Sequence, residues 1–213
     1  MKMAAIIPAY NEETTIADVV RTAKECELLD EVIVVSDGSK DKTAERAKKA
    51  GADVVMELRT NRGKGEAMAY GVSKTTAEII VFLDADLIGL TAGHIKRMVT
   101  PVLRGERAMV VGMRGRGRFF SWLASHLPLI GGERALQRFV FEKTPKKRRR
   151  GFMVEIALNY YCRSRRLPYG TVFLKGLSIK RKMQKVGFLK GFAGYVKMGW
   201  QIVGAMAVAR LGK

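Results

Sequence analysis

The strongest chemical signal in the sequence is a pair of carboxylates, Asp84 and Asp86, separated by one alanine. They follow the apolar run Ile79–Leu83, which is typical of a buried strand. Two carboxylates at this spacing can share one hard divalent cation, which in turn neutralises a diphosphate. The same residues could instead cap a loop or begin a helix. Their position at the end of a predicted strand favours the metal site.

Three other polar segments contain groups suited to a phosphate-bearing ligand. Pro8–Glu12 offers an aromatic face and an acceptor. Ser36–Ser39 contains Asp37, whose carboxylate could accept a hydrogen bond from a base N–H or a ribose hydroxyl. Asn61–Gly65 offers the cation of Lys64 and a close backbone approach to phosphate. Each segment alone is ordinary turn chemistry, but all of them fall where predicted strands or loops end.

Predicted strands and helices alternate through the first hundred residues. The strands are Met3–Pro8, Glu31–Val35, Val54–Met56 and Ile79–Leu83, and the helices are Thr14–Leu28, Asp41–Ala50 and Glu66–Thr75. This alternation predicts an α/β fold with a doubly wound, mostly parallel sheet. Ligands of such sheets bind outside the carboxyl ends of the strands, where the polar segments fall.

The second half of the chain lacks this regular alternation of strands and helices. The predicted elements are a strand at Met109–Gly112, helices over Arg134–Phe141 and Met153–Cys162, and a strand at Tyr169–Leu174. Near the end, the uncharged stretch Met198–Ala209 is shorter than the ~20 residues that a membrane-spanning helix needs. We expect either a core-packing helix or a helix in the membrane interface, with Trp200 as its anchor.

The positive charge is concentrated in the second half of the chain. The formal net charge is +19, but residues 1–100 carry 14 Lys/Arg against 16 Asp/Glu. Residues 101–213 carry the other 25 Lys/Arg and only 4 Asp/Glu. This asymmetry predicts that the second half meets an anionic partner: a phosphorylated substrate, an acidic membrane surface or nucleic acid.

Cysteine usage and the N-terminus favour a cytoplasmic protein. Cys26 and Cys162 are far apart and lack metal-ligand spacing, so each is predicted to be a small core residue in a reducing compartment. The first apolar run is too short for a signal peptide. We therefore expect a cytoplasmic location, with peripheral binding to the inner membrane face as an extension of it.

Four motifs in order resemble the family 2 glycosyltransferases and their GT-A relatives. They are IIPAYNEETTI, VIVVSDGSKDKTAERAKKAGA, RGKGEAMAYG and IIVFLDAD, and together they cover roughly residues 3–112. The resemblance implies a GT-A fold and transfer of a hexose from a nucleotide sugar, with UDP-glucose as the favoured donor. It also implies a divalent metal, Mg²⁺ or Mn²⁺.

The resemblance implies roles for individual residues of the first half. Contacts to the base and ribose carry over to Pro8, Tyr10, Glu12 and Asp37, contact with the nucleotide to Lys64 and Asp84, and metal binding and catalysis to Asp86. Two positions depart from the pattern. Ser36 stands where many relatives have a first aspartate, and Ile88 stands where polyprenyl-phosphate sugar synthases often have a glutamine, which leaves a third protein ligand to the metal in doubt.

Segments of the second half imply an acceptor site. GERALQRFVFEK, GFMVEIALNYY and VGFLKGF are similar to the segments that come after the catalytic core in glucosyl-3-phosphoglycerate synthases. This similarity implies that a phosphorylated acceptor is approached by Arg114, Arg116, Arg118 and Arg134, although the arginine–glycine run could also be a solvated loop. For a hydroxyl acceptor, Glu155 is the first candidate catalytic base and Glu133 the second. The alternative for Glu155 is pairing with a nearby arginine.

The predicted organisation divides the chain into three parts. Residues 1–112 are the nucleotide-sugar-binding core, 113–185 the acceptor-binding part of the same domain, and 186–213 an amphipathic helical tail. The predicted acceptor is phosphorylated or lipid-linked and lies at an anionic membrane surface, and a soluble glucosyl-3-phosphoglycerate synthase-like transferase is the alternative. A nucleic-acid-binding protein is the alternative of another class, but it leaves the paired carboxylates without a role, so no nucleic-acid partner is expected.

Overall fold

A computed structural model describes residues 1–114, 131–149, 151 and 153–180 of the protein. The predictions for Arg116, Arg118 and the tail at 186–213 lie outside the described residues. Within them, none of the helices has the length and apolar character that a membrane crossing requires.

Strands and helices alternate through the first half, as predicted. The strands are β1 (Met3–Ala9), β2 (Glu31–Asp37), β3 (Val54–Leu58), β4 (Ile79–Phe82), β5 (Leu87–Ile88), β6 (Met109–Arg114), β7 (Arg134–Gln137), β8 (Tyr169–Leu174) and β9 (Ser178–Ile179). The helices are α1 (Ile16–Lys24), α2 (Thr43–Lys49), α3 (Lys64–Val72), α4 (Ala92–Leu103), α5 (Arg138–Lys143) and α6 (Met153–Ser164), with a 3₁₀ turn at Lys146–Arg148.

Seven strands of the described chain form one sheet in the order β3-β2-β1-β4-β7-β6-β8. Pairs β1–β2, β1–β4, β2–β3 and β6–β8 are parallel, whereas β7 is antiparallel to both neighbours. The prediction of a mostly parallel α/β sheet is confirmed. Because β7 runs the other way, its first residue, Arg134, lies between Phe82 of β4 and Val111 of β6, near the carboxyl ends of those strands.

Helices cover both faces of the sheet, which explains why its strands are continuous apolar runs. On one face, Ile7 and Val34 belong to a core cluster with residues of α1 and α4. On the other, Ile6 and Ile33 belong to a cluster with residues of α3, α5 and α6. Successive strand residues alternate between the two clusters, because side chains along a strand alternate between its faces.

Helix α3 lies close against the sheet near its C-terminal end. A β-carbon added to Gly71 would lie 2.5 Å from Cγ2 of Ile6, so only glycine permits the approach. The helix begins at Lys64, directly after Gly63, whose φ of 90° favours glycine. Lys64 is thereby held at the edge of the sheet where the parallel strands end.

One local prediction was wrong, and one helix was not predicted. The predicted helix over Arg134–Phe141 is a strand, β7, followed by the short helix α5. The strand forms because Arg134–Gln137 is paired on both sides, and those neighbours outweigh local helical periodicity. Helix α4 was not predicted. Thr91 caps it by accepting a hydrogen bond from the N–H of His94, and Pro101 lies inside it.

Candidate active site

The loops after β1, β2 and β4 meet at one edge of the sheet. In the register, Ala9 at the end of β1 lies beside Ser36 of β2, and Ile6 lies beside Phe82 at the end of β4. The segments identified from the sequence are therefore neighbours in space. The start of β7 lies at the same edge, although it is 52 positions beyond Phe82 in sequence.

Asp37 organises the glycine-bearing loop. Its Oδ1 accepts from the backbone N–H of Arg62 at 2.8 Å, and its Oδ2 accepts from Gly63 N–H at 2.7 Å. The next residue, Gly38, has a φ of +71°, and a β-carbon there would lie 2.5 Å from the backbone nitrogen of Asn61. The Asp-Gly turn and the glycine loop are thus built against each other, and Asp37 is buried.

The segment after β1 is held by the turn after β2. The N–H of Asn11 donates to Oγ of Ser39 at 3.1 Å, and Oδ1 of Asn11 accepts from the N–H of Lys40 at 2.9 Å. Asn11 adopts a φ of 54°, which asparagine tolerates better than most residues. Tyr10 is 46% exposed, so its ring is open to a ligand, whereas Pro8 lies inside β1 opposite Val35.

Glu12 lies where the segment after β1 passes into α1. Its backbone N–H donates to Oγ1 of Thr43 at 2.8 Å, and Oε2 of its carboxylate lies 3.4 Å from Oγ1 of Thr15. The single hydroxyl proton of Thr15 is donated to the carbonyl of Ala85 at 2.8 Å. This hydroxyl therefore ties the first motif to the residue between the two aspartates, so the segment of Tyr10 and Glu12 and the carboxylate pair share one rigid frame.

Lys64 is held between two carboxylates. Its Nζ lies 2.6 Å from Oδ1 of Asp84 and 2.7 Å from Oε1 of Glu155. Burial alone would lower the pKa of Lys64, but the two carboxylates outweigh it and raise the pKa above its ordinary value. Burial would raise the pKa of Asp84, but Lys64, Arg114 and Arg134 hold it below its usual range. Lys64 and Asp84 are therefore both charged at neutral pH.

Arg134 contacts the cluster of Lys64, Asp84 and Glu155 from the interior of the protein. It is fully buried, and its guanidinium donates to the backbone carbonyl of Glu155 at 3.2 Å and to the carbonyl of Gly131. Its NH2 lies 3.9 Å from Oε2 of Glu155. Burial lowers the pKa of Arg134. Glu155 thus faces two cations, as the pairing alternative for this residue predicted.

Gly132 packs directly against the first aspartate. A β-carbon on Gly132 would lie 2.0 Å from Oδ2 of Asp84, so no other residue fits without displacing that carboxylate. The sequence reasoning missed Gly132. The adjacent glycines Gly131 and Gly132, just before a predicted element, were the available signal, since paired glycines often mark a close approach of the backbone.

Glu133 is a fully buried carboxylate beside Arg114. NH1 of Arg114 lies 3.6 Å from Oε1 of Glu133, which is an ion-pair distance but too long for a hydrogen bond. Among the described residues, neither carboxylate oxygen of Glu133 has a hydrogen-bond partner. Burial, and then the charge of Asp84, raise the pKa of Glu133 to about 7. The side chain of Arg114 is 22% exposed, although its NH1 is buried.

Asp86 lies between β4 and β5, and its carbonyl accepts from the N–H of Lys180 at 3.0 Å. Ile88 lies in β5 and is exposed. Across the part of the chain that the structure describes, no three His, Cys, Asp or Glu side chains come together to hold a metal ion. Carboxylate oxygens nevertheless suit Mg²⁺ or Mn²⁺. Mg²⁺ is commonly held by one or two carboxylates together with substrate phosphates, so Asp84 and Asp86 fit such an ion.

The profile of the Glycosyl transferase family 2 matches residues 4–164. The chain belongs to this family. The match covers the sheet from β1 to β7 and extends through α6, so it includes every described residue of the site discussed above. The resemblance inferred from the four motifs is confirmed.

Two curated proteins are similar to parts of the chain. The glucosyl-3-phosphoglycerate synthase of Mycolicibacterium smegmatis is 38% identical over 109 residues, which are 47% of this chain and 36% of that protein. The undecaprenyl-phosphate 4-deoxy-4-formamido-L-arabinose transferase of Enterobacter sp. (strain 638) is 38% identical over 130 residues, which are 57% of this chain and 39% of that protein. The matched segment thus spans little more than a third of either relative.

A solved structure of a glucosyl-3-phosphoglycerate synthase has the same fold. The glucosyl-3-phosphoglycerate synthase of Mycobacterium tuberculosis, in complex with Mn²⁺, UDP-glucose and phosphoglyceric acid, superimposes with a TM-score of 0.79 and 27% sequence identity. The alignment covers 98% of this chain and 79% of that one. The predicted GT-A fold is confirmed.

Proposed function

We propose that this protein transfers a hexose from a nucleotide sugar, with UDP-glucose as the first candidate, to a phosphate-bearing acceptor. The observation that carries the proposal is the arrangement at the end of β4. Asp84, the first of the two aspartates, belongs to a cluster in which Lys64, Arg114 and Arg134 face Asp84, Glu133 and Glu155. Cations held in fixed positions beside a pair of candidate metal ligands suit a donor and an acceptor that both carry phosphate.

The donor nucleotide would lie along the loops after β1 and β2. Tyr10 offers an exposed ring for the base. Asp37 already binds two backbone N–H groups, and each carboxylate oxygen has a second acceptor site, so it can also receive a base or ribose donor. Glu12 would contact the nucleotide from the same frame, and Pro8 shapes the wall beneath it.

Asp86, with Asp84 beside it, would hold Mg²⁺ or Mn²⁺ together with the diphosphate. The ion, when bound, would neutralise charge on the departing nucleoside diphosphate. Lys64 acts from within the cluster, because its ammonium is bound by Asp84 and Glu155. It fixes the orientation of Asp84 and adds positive potential where the diphosphate would lie.

The acceptor would approach from the side of β6 and β7. Arg114 has a partly exposed side chain, and we assign it the contact with the acceptor phosphate. Arg134 is buried, so it would act by holding Gly131 and Glu155 in place. The roles predicted for Arg116 and Arg118 remain predictions.

In the transfer, an acceptor oxygen forms a bond to the anomeric carbon while the bond from that carbon to the diphosphate breaks. A phosphate oxygen as nucleophile is already anionic. A hydroxyl must lose its proton to a carboxylate, with Glu155 or Glu133 as the candidates. Glu155 is oriented by Lys64 and Arg134. Glu133 has a pKa of about 7, which suits a group that accepts a proton at neutral pH.

Two acceptors of different chemistry have support. A soluble phosphorylated acid is supported by similarity to glucosyl-3-phosphoglycerate synthases, one of which was crystallised with phosphoglyceric acid. A lipid-linked phosphate is supported by similarity to an undecaprenyl-phosphate transferase. Both present phosphate to the same cations, and assays with 3-phosphoglycerate and with a polyprenyl phosphate in detergent would separate them.

The proposal is tested by calorimetric titration of UDP-glucose and GDP-mannose, with and without Mn²⁺. We expect metal-dependent binding of one donor to the wild type, and its loss in Asp86→Ala. Asp18→Ala is the matched control, because Asp18 is an exposed carboxylate of α1 paired with Arg21. Absence of binding of both donors under every metal condition would contradict the proposal.

A further inference from the structure

A basic pocket lies outside the candidate active site. It has a volume of about 720 Å³ and is lined by the 3₁₀ turn and the last turns of α6: Pro145, Lys146, Lys147, Arg148, Tyr160, Ser164 and Arg165. Four of these residues are cationic and none is acidic. The pocket belongs to the second half of the chain, where the positive charge is concentrated.

The four cations of the basic pocket differ from other surface cations in their pairing. In the described part of the chain, no carboxylate forms an ion pair with Lys146, Lys147, Arg148 or Arg165. The exposed lysines of α2 are different, because Lys48 pairs with Glu57 and Lys49 pairs with Glu45. Unneutralised cations gathered around one concavity raise the local concentration of anions there.

The turn that carries these cations is firmly anchored. Arg149 is buried, and its guanidinium lies 4.7 Å from the ring centre of Phe141. Arg148 lies over the ring of Tyr160, at 5.1 Å from its centre. The N–H of Arg148 donates to the carbonyl of Pro145 at 2.9 Å. Because these contacts fix the backbone, Lys146 and Lys147 are presented outward from a defined position.

The basic pocket is connected to the candidate active site by a short path. Gly151 comes three residues after the turn, and its α-carbon would lie 3.8 Å from a β-carbon placed on Gly63. Gly63 is the residue directly before Lys64 in the nucleotide loop. A surface that binds at the pocket is therefore held next to the loop where the donor phosphates would lie.

We propose that the basic pocket binds the phosphate headgroups of an anionic membrane surface and so places the active site at that surface. A bilayer with acidic lipids presents many phosphates in one plane, which suits several cations around a shallow concavity. Single-stranded nucleic acid fits less well, because it usually needs exposed aromatic rings for base stacking. The aromatic ring of this pocket, Tyr160, already lies beneath Arg148.

The experiment measures binding of the full chain to phosphatidylcholine vesicles with and without phosphatidylserine, in the absence of any sugar donor. The test variant is Lys146→Gln/Lys147→Gln/Arg165→Gln. The control variant, Lys24→Gln/Lys48→Gln/Lys49→Gln, removes the same charge from lysines that pair with carboxylates. Circular dichroism establishes that both variants are folded.

We expect the wild type to bind only the phosphatidylserine vesicles, with an affinity that falls as salt is raised. Each surface cation near anionic lipid contributes about fivefold, so the test variant should bind roughly 100-fold more weakly. The control variant should bind within a few fold of the wild type. Equal losses in both variants, or none in either, would overturn the proposal, because binding would then depend on total charge or on other residues.

Two further arms identify the source of the phosphate. Millimolar inorganic phosphate should not displace the protein from vesicles. Displacement would mean that the basic pocket holds a soluble phosphate, and the membrane assignment would be wrong. A single-stranded RNA oligomer should bind more weakly than the vesicles at the same salt. Tighter RNA binding that is lost in the test variant would replace the membrane with nucleic acid. Since no donor is present, none of these results bears on the sugar transfer itself.

Discussion

Lys64 and Glu155 are 91 positions apart in sequence, yet Nζ of the lysine lies 2.7 Å from Oε1 of the glutamate. The contact joins the start of α3 to the start of α6, and so joins the loop proposed to bind the nucleotide to the side from which we propose that the acceptor approaches. Both side chains are largely buried. An ion pair in such a position orients the groups around it, because moving either partner leaves the other charge without compensation.

Lys64→Met should destabilise the protein, since it removes the cation that is hydrogen-bonded to both Asp84 and Glu155 and leaves them only more distant arginines. Removing one partner of a buried pair costs about 3–5 kcal/mol, and urea unfolding followed by circular dichroism measures this loss. The double variant Lys64→Met/Glu155→Gln should recover part of the stability. The exposed pair of Lys49 and Glu45 is the control, and Lys49→Met should change the unfolding free energy by less than about 1 kcal/mol. A small effect of Lys64→Met would contradict the assignment of a structural ion pair.

Gly132→Ala should disturb Asp84, because the added methyl group would overlap its carboxylate. We expect a loss of stability of about 1–3 kcal/mol, as for other overpacked sites, together with weaker metal-dependent donor binding. Gly93→Ala is the matched control. Its β-carbon would lie 3.7 Å from the nearest side-chain atom, in α4, where alanine is favoured over glycine. Donor titration should separate the two variants, and equal donor affinities would count against the packing argument.

Ionisation of the Glu133 carboxyl group should make the protein less stable as pH rises from 4.5 to about 7. Its pKa is raised from 4.5 to about 7 in the folded state, so the folded protein binds the proton more tightly than the unfolded chain. The favourable contribution is fully present below pH 4.5 and is lost as pH rises through 7, by about 3 kcal/mol at most.

The measurement compares unfolding free energies of the wild type and Glu133→Gln between pH 4 and 8. The difference between them should shift in favour of the variant as pH rises. Glu106→Gln, which replaces an exposed carboxylate near Arg104, should show no such shift. A flat difference for Glu133→Gln would show that this carboxyl ionises at its ordinary pKa.

Asp37→Asn should loosen the nucleotide loop. One oxygen would still accept a backbone N–H, but the amide group would place a donor against the other N–H. We expect donor binding to weaken by roughly tenfold, in line with the ~1.5 kcal/mol of a lost charge-assisted hydrogen bond. Asp30→Asn is the control, because Asp30 likewise accepts from a backbone N–H, that of Met3. Similar donor affinities for the two variants would argue against a role of Asp37 in shaping the loop.

The parts of the fold that depend on local pattern were predictable from the sequence. β1, β2 and β4 are apolar runs that end in polar turns, and their order identified both the sheet class and its functional edge. The strand β7 was not predictable in this way. Its four residues carry a helical pattern, and they are extended because β4 and β6, distant in sequence, pair with them. Local propensity contains no information about such neighbours.

The candidate site likewise contains residues that the sequence identified and contacts that it could not predict. Tyr10, Asp37, Lys64 and Asp86 stand in motifs that the sequence shows directly. The partners of Lys64, the close approach of Gly132 and the buried state of Glu133 arise only when the second half folds back on the first. Pairing across so many residues has no local signature in a single sequence.

Because β7 lies between β4 and β6, the central sheet cannot be completed during synthesis until β7 has been made. A ribosome that has released residues 1–114 has made both flanking strands, but the strand that joins them comes only with Arg134–Gln137. Until then β4 has one unpaired edge and β6 has two, since its other partner, β8, also comes later, and such edges are sites of intermolecular pairing. A pause in translation before residue 134 would therefore lengthen exposure to aggregation, and chaperone binding should be strongest in that interval.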